Sequence, residues 1–335
     1  MCAKVAIAYN QPEHSRYADI GEWAAIAGVL EGVDAVEKAL IELGYDCFRI
    51  PLSPPLNRTS ETIGALRADL IFNLFEGFDG QPDTEARVAE LFSKTGLPYT
   101  GCPAESLKAC LDKAKVKDIL VANGIRTPRY QLFSGKPPPS FDLRFPCIVK
   151  TRTEHASHGI SEESVVHNIR QLEIQVAKVS RLFGGYALVE EYEDGREINA
   201  LVMGKSKVEV FPVSEIIYTL PEGKPRILTY AAKWDPENEY YYGSTHQCPA
   251  QIEEEVRRSA VDIVLSVFKL CIGSGYARVD FRQDSQGNLK VIDVNPNPDI
   301  SPAVGAAHQA DVYGLSYSQF IKRIIDITLE ESCGT

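Results

Sequence analysis

KVAIAYN (4–10) is an unbroken apolar run of strand length, and the stretch from about Ile20 to Leu43 repeats its apolar positions at helical spacing until Gly44 stops it. YDCFRI and ADLIFNLF (68–75) read as further strands, and TEARVAELFSKTG (84–96) as a helix closed by its glycine. Strands alternating with helices at this spacing predict a parallel sheet covered on both faces. Residues 1–102 are therefore expected to form one small α/β unit.

From Ser106 the pattern changes. SLKACLDKAKVKDILVANG reads as one amphipathic helix, GIRTPRYQLFSGKPPPS as a proline-rich connection, and FPCIVKT (145–151) as a strand. The polar loop RTEHASHGIS, a strand SVVHN, a helix from about Ile169 to Phe183 and a strand YALVEEY (186–192) follow. Strands then dominate, with EINALVMG, KVEVFPVSEIIY and RILTYAAKW. A helix from Ile252 to Leu270 carries apolar residues at 252, 256, 260, 263, 267 and 270 on one face. ARVDFRQ, the turn DSQGN and LKVIDVN form a hairpin. Two α+β units with antiparallel sheets, 103–188 and 189–335, are expected, without internal repeats.

At 335 residues the chain is too long for one comfortable core, so a cleft between lobes is expected. Hydrophobic content of 44% with 24% charged residues is ordinary for a globular protein, and the most apolar helix, Val261 to Ile272, is broken by Asp262 and Lys269. MCAKVAIAYN has no leader pattern, which points to the cytoplasm and away from a membrane. Eight scattered cysteines without a CxxC pair read as reduced thiols, ahead of a zinc or disulfide framework. A net charge of −11 with no basic stripe speaks against a nucleic-acid partner. Local lysines can still serve a small phosphate ligand.

The closing hairpin carries the sharpest chemistry. Arg278 and Asp280 are two apart and share a strand face; Asp293 and Asn295 do the same on the partner strand, just before the prolines of VIDVNPNPDISP. Three oxygen ligands with an arginine at their edge suit a magnesium–polyphosphate site, since Mg2+ draws its remaining ligands from phosphate and water. A solvated face with one ion pair is the plainer alternative, but the prolines end the ladder where a ligand could enter. Lys150 ends an apolar strand, where a phosphate would neutralise it, and Lys113 lies on the preceding helix pattern. In the loop 154–159, Ser157, Gly159 and their small neighbours let backbone N–H groups approach a phosphate. His155 and His158 have no matching ligand cluster for zinc. In LVEEYEDGRE a hinge could read adenine while Glu197 accepts from ribose hydroxyls; an acidic edge turn is the alternative.

Together these segments resemble the ATP-grasp superfamily, and within it the D-alanine–D-alanine ligase group. GLPYTGCPAESLKACLDKAKVKDIL, PCIVKTRTEHASHGIS, ALVEEYEDGREINALVMG and GYARVDF with VIDVNPNPD carry the likeness in one order along nearly the whole chain. The resemblance implies an ATP-grasp fold of three domains, an N-terminal parallel α/β domain followed by two α+β lobes that hold ATP between them. It implies that Lys113 and Lys150 hold ATP phosphates under the 154–161 loop. Glu190, Glu191 and Tyr192 would line the adenine pocket, Glu197 would meet ribose, and Lys233 would reach the nucleotide. Asp280, Asp293 and Asn295 would bind two Mg2+ ions, or Mn2+ in their place, and Arg278 would stabilise the acyl phosphate and the tetrahedral intermediate. The activity implied is ADP-forming ligation of a small-molecule carboxylate to an amine, by a protein commonly homodimeric in this group. WDPENEYYYGSTHQ (234–247) is the expected lid.

The chain departs from the group in the amino-acid pocket. The loop serine is Ala156, the tyrosine after the lid lysine is Trp234, the N-domain histidine is Glu76, and YNQPEHSRYADIGEW replaces the motif of the ammonium-binding glutamate. Asp293 stands for the group's glutamate, one methylene shorter. An amino-acid-like substrate pair other than D-alanine is therefore expected, with Glu76, Arg152, His155, His158, Trp234 and Asp299 shaping the pocket. The alternatives are authentic D-alanine–D-alanine ligation and an ATP-binding scaffold without turnover.

Overall fold

In a computed structural model, residues 3–13, 23–78, 80–135, 140–154 and 157–330 are described. In chain order the elements are β1 (Lys4–Asn10), α1 (Trp23–Glu42), β2 (Asp46–Leu52), α2 (Leu56–Gly64), β3 (Leu70–Leu74), α3 (Thr84–Thr95), α4 (Ala104–Leu111) and α5 (Lys113–Ala122). Then come β4 (Tyr130–Phe133), β5 (Cys147–Thr151), β6 (Val165–Val166), α6 (Ile169–Phe183), β7 (Ala187–Glu191), β8 (Glu197–Gly204), β9 (Val208–Val210) and β10 (Ser214–Tyr218). The last are α7 (Tyr230–Trp234), α8 (Glu239–Tyr242), β11 (Ser244–Gln247), α9 (Glu254–Val267), β12 (Gly275–Gln283), β13 (Leu289–Pro296), α10 (Gly305–Tyr313) and α11 (Tyr317–Leu329).

The first sheet is parallel, in the order β2-β1-β3. One side packs through Ala8, Ile71 and Phe75 on Ile63 of α2 and Val88 and Phe92 of α3. The other meets Val33, Val36 and Leu40 of α1 in a core that continues into Leu201 and Met203 of β8 and Phe320 and Ile324 of α11. The second sheet is antiparallel, β4-β7-β5-β6, with α6 covering Cys147, Val149, Ala187 and Val189. The third, also antiparallel, runs β11-β10-β8-β12-β13, with β9 beside β8. Its inner face, Ile198, Ala200, Val279, Phe281, Val291 and Val294, is buried by α4, α5 and α9. Alternation along each strand then turns the polar residues of both antiparallel sheets toward one cleft.

Several elements differ from the sequence expectation. The stretch SLKACLDKAKVKDILVANG is two helices, because Asp112 takes an extended conformation (φ −90°, ψ 94°) and caps the second helix by accepting from the Lys115 N–H. The proline-rich connection contains β4, paired with β7. RILTYAAKW is not a strand: Thr229 caps the short helix α7 there. Helix α2, whose polar sequence hides its two buried residues Thr59 and Ile63, is absent from the sequence expectation. Leu270, expected on the buried face of its helix, is exposed where the helix widens into a π-turn over Phe268–Ile272. The last strand of the second sheet in chain order, β7, runs to Glu191.

Among the described residues no helix is long and apolar enough to cross a membrane. Six cysteines there are free thiols, and no group of three His, Cys, Asp or Glu side chains could hold a metal.

Candidate active site

A cleft enclosing about 1000 Å3 of space, open to solvent, lies between the second and third sheets. Lys113, Lys150, Ser157, His158, Glu190, Glu191, Tyr192, Glu197, Lys233, Arg278, Asp280, Asp293 and Asn295 all line it.

The hairpin β12–β13 builds its floor through one irregularity. From the turn the ladder pairs Gln283 with Leu289, Arg282 with Lys290 and Phe281 with Val291, then slips so that Asp280 faces Asp293 and Arg278 faces Asn295. Ile292 is the extra residue and lines the cleft. In an unbroken ladder Asp280 would face Ile292 and Asp293 would point into the core with Val279; the bulge reverses the phase. Arg278 meets Asp280 in a two-pronged ion pair at 2.7 and 2.9 Å. Burial raises the Asp280 carboxyl above its usual range, opposed by Arg278 and reinforced by Asp293. Burial likewise lowers Lys233, with Arg278 adding to it and Asp280 and Asp293 opposing.

On the opposite wall, Ile148 pairs with Glu190 and Lys150 with Leu188. Glu190 is 1% exposed and accepts from Lys150 at 3.2 Å; Lys117, itself 3% exposed, approaches its other oxygen at 3.2 Å. Burial works to raise Glu190, but the two lysines hold it below the usual carboxylate range. Lys117 also donates to the Thr127 hydroxyl at 2.8 Å, and that hydroxyl donates to the Val291 carbonyl at 2.7 Å. The Val291 N–H donates to the Arg126 carbonyl at 2.9 Å, so the segment leading into the second sheet is tied to β13 beside the bulge. Sequence reasoning misses Lys117, although it lies four residues after Lys113, the spacing of one helix face.

The helix break at Asp112 frees Lys113 from a helix surface: it becomes the first residue of α5, and its ammonium donates to the Glu154 carbonyl at 2.5 Å. Gly159 (φ +74°) turns the loop against Phe183, which would lie 2.6 Å from any added Cβ. Ser157 holds an uncommon positive φ of 60° beside it. His158 is buried and stacks on Tyr230 at 5.8 Å. The segment expected as a lid is tied to this region through Lys224, which bridges Glu162 at 2.7 Å and Glu239 of α8 at 2.5 Å, and just before that segment the Tyr230 N–H donates to the Ile160 carbonyl.

Other expected pocket residues are placed differently. Arg152 turns away to Asp112, at 2.9 and 2.6 Å, and lies over the Tyr186 ring. The Glu191 side chain is committed to Arg144 at 2.8 Å, on the face opposite Glu190. His155, Ala156 and much of YNQPEHSRYADIGEW lie outside the described residues. Trp234 packs against Gly28, where an added Cβ would come within 2.8 Å of the indole. Asp299 is exposed and accepts from the Ser301 N–H and hydroxyl at 2.8 and 2.6 Å. The Glu76 side chain reaches solvent yet is closely surrounded by protein, and burial, then Asp299, raises its carboxyl to about 7, with Lys233 opposing. Glu85, buried behind it, is raised to about 8 by burial and by Glu76.

The C-terminal family model of D-Ala–D-Ala ligases matches residues 139–326. The chain belongs to the D-alanine–D-alanine ligase family. A protein of Sinorhizobium fredii, uncharacterized protein y4sG, is 32% identical over 88% of this chain and 86% of its own. A D-alanine–D-alanine ligase of Carboxydothermus hydrogenoformans is 29% identical over 89% of this chain and 92% of its own. The crystal structure of a D-alanine–D-alanine ligase from Bacillus anthracis superposes with a TM-score of 0.75 at 21% identity, covering 98% of both chains. This member of the D-alanine–D-alanine ligase family has the ATP-grasp fold and is an ATP-using ligase that forms carbon–nitrogen bonds.

Proposed function

We propose that this ligase joins an amino-acid-like carboxylate to an amine through an acyl phosphate, releasing ADP and phosphate. The observation that carries the reading is the convergence of Arg278, Asp280, Asp293 and Asn295 with Lys113, Lys150 and Lys233 on one cleft. A substrate carboxylate oxygen bonds to the γ-phosphorus as the bond to ADP breaks, and lysine ammonium groups offset the spreading charge. The amine then adds to the acyl carbon, Arg278 stabilises the oxyanion, and phosphate leaves with its oxygen as the amide forms.

The donor set on the cleft floor suits Mg2+: two carboxylates face each other across β12 and β13, with the Asn295 carboxamide beside them. These are hard oxygen donors too few for a closed cage, as a cation shared with phosphate and water requires. When bound, Mg2+ would be held by Asp280, Asp293 and Asn295 and would neutralise the polyphosphate. Glu197 would take the ribose, and the sheet wall at Glu190 and Tyr192 the adenine. The substrates differ from D-alanine, because Glu76 and Asp299 bring carboxyl groups together beside Lys233 and Trp234 fills space against Gly28.

Purified protein supplied with ATP, Mg2+ and paired amino acids should release ADP for at least one pair, with an amide of matching mass. The Asp293→Asn variant should stay folded and release none. Rapid turnover with D-alanine alone would overturn the separate substrate, and silence with every pair alongside tight ATP binding would overturn the ligation reading.

A further inference from the structure

Arg282 lies on the same face of β12 as Arg278 and Asp280, four residues from Arg278, hence about 13 Å along the strand. It is 4% exposed, lines the cleft at the end away from the metal-type donors, and has no part in the chemistry above. A buried guanidinium demands acceptors, and here each comes from a different segment. It donates to the Glu197 carboxylate at 2.5 Å on β8, to the Gly195 carbonyl at 2.9 Å in the turn after β7, and to the Arg226 carbonyl in the irregular segment leading to α7. The rings of Tyr192 and Tyr218 lie 5.8 and 5.5 Å from it.

The way Glu197 is held matters more than the number of bonds. Arg282 and the Tyr218 hydroxyl, at 2.6 Å, both donate to the same oxygen, Oε2. Oε1 is left as the acceptor for a ligand in the cleft, on a carboxylate that can no longer rotate. The same guanidinium fixes two further walls. The Tyr192 hydroxyl accepts from the Arg226 N–H at 3.1 Å and donates to Asp194 at 2.9 Å, and Ile227 and Leu228 line the cleft directly after Arg226.

We propose that Arg282 is the positioning residue for the nucleoside end of the cleft, locking Glu197 so that a single oxygen reads one ribose hydroxyl. The inference rests on the ATP reading of the cleft but not on the ligation step. Without the guanidinium Glu197 keeps only the Tyr218 hydroxyl, and the cleft loses its preference for a ribose over a deoxyribose more than its grip on the phosphates. A merely structural arginine would weaken all nucleotides alike.

The test is calorimetric titration of the full chain, with Mg2+ present, by ADP, 2′-deoxy-ADP and 3′-deoxy-ADP. The wild type should bind ADP at least tenfold more tightly than one of the deoxy forms, and Arg282→Met should reduce that ratio below threefold. Should Arg282→Met fail to fold, Arg282→Lys carries the test, since one ammonium cannot reach all three acceptors, and it should lose most of the ratio. A folded variant that keeps the wild-type ratio overturns the proposal. A wild type that binds ADP without any such preference overturns it too. A wild type that binds no nucleotide overturns instead the ATP reading on which it rests.

Discussion

At the scale of single residues, buried carboxyls shift in opposite directions. Glu190 has two lysines and is held low, whereas Glu85 has burial and a second carboxyl, Glu76, and is pushed up to about 8 against an opposing hydrogen bond from Asn297. A folded-state pKa above the unfolded 4.5 means that the native protein binds the proton more tightly. The stability this contributes is whole below about 4.5 and is lost as pH climbs through about 8, and Glu76, at about 7, acts in the same direction. Melting temperature should therefore fall between pH 5 and 8, since each tenfold difference in proton affinity between the folded and unfolded chain corresponds to about 1.4 kcal/mol. Glu85→Gln, which keeps a hydrogen-bonding oxygen, should flatten that slope and melt higher than wild type at pH 8. An unchanged slope would mean that these carboxyls do not set it. None of this was legible in the sequence, where Glu85 is one acidic residue in a helix's first turn; its burial follows from the elements packed around it.

At the scale of elements, the bulge at Ile292 does what periodicity could not foretell. Spacing placed Arg278 with Asp280 and Asp293 with Asn295, and the structure brings these pairs opposite each other. A hairpin counted residue by residue from its turn, however, would have buried Asp293. The prolines and the mixed polarity of VIDVNPNP marked a disturbance without locating it. Deleting Ile292 should leave every other pair of the ladder intact, so the protein should fold and melt within several degrees of wild type. Asp293 would then keep its phase opposite Asp280 but lose the extra local twist that the bulge adds, so ADP release should fall. Wild-type turnover in the deletion variant would show that the aim comes from elsewhere. The missed helix break has the same origin: an aspartate in an amphipathic run reads as a polar face until Arg152, forty residues on, gives it a partner.

At the scale of the molecule, strand and helix order was readable because alternation is local, while the meeting of lobes was not. Lys224, ordinary in sequence, joins the 157–164 loop to the 234–247 segment through Glu162 and Glu239. Lys224→Ala should leave the melting temperature close to that of the wild type, since solvent-accessible ion pairs contribute little to stability. Amide exchange should nevertheless quicken in both segments together, and quickening in only one would show that they are not coupled. The ties of Arg126 and Thr127 to Val291 bear on how such a closure would move. They anchor the entry to the second sheet beside the bulge, which would put the axis of any rotation of that sheet near Val291. Displacement grows with the length of the lever arm. In such a rotation the 157–161 loop, farther from that axis, would move more than Asp293, which lies two residues from it.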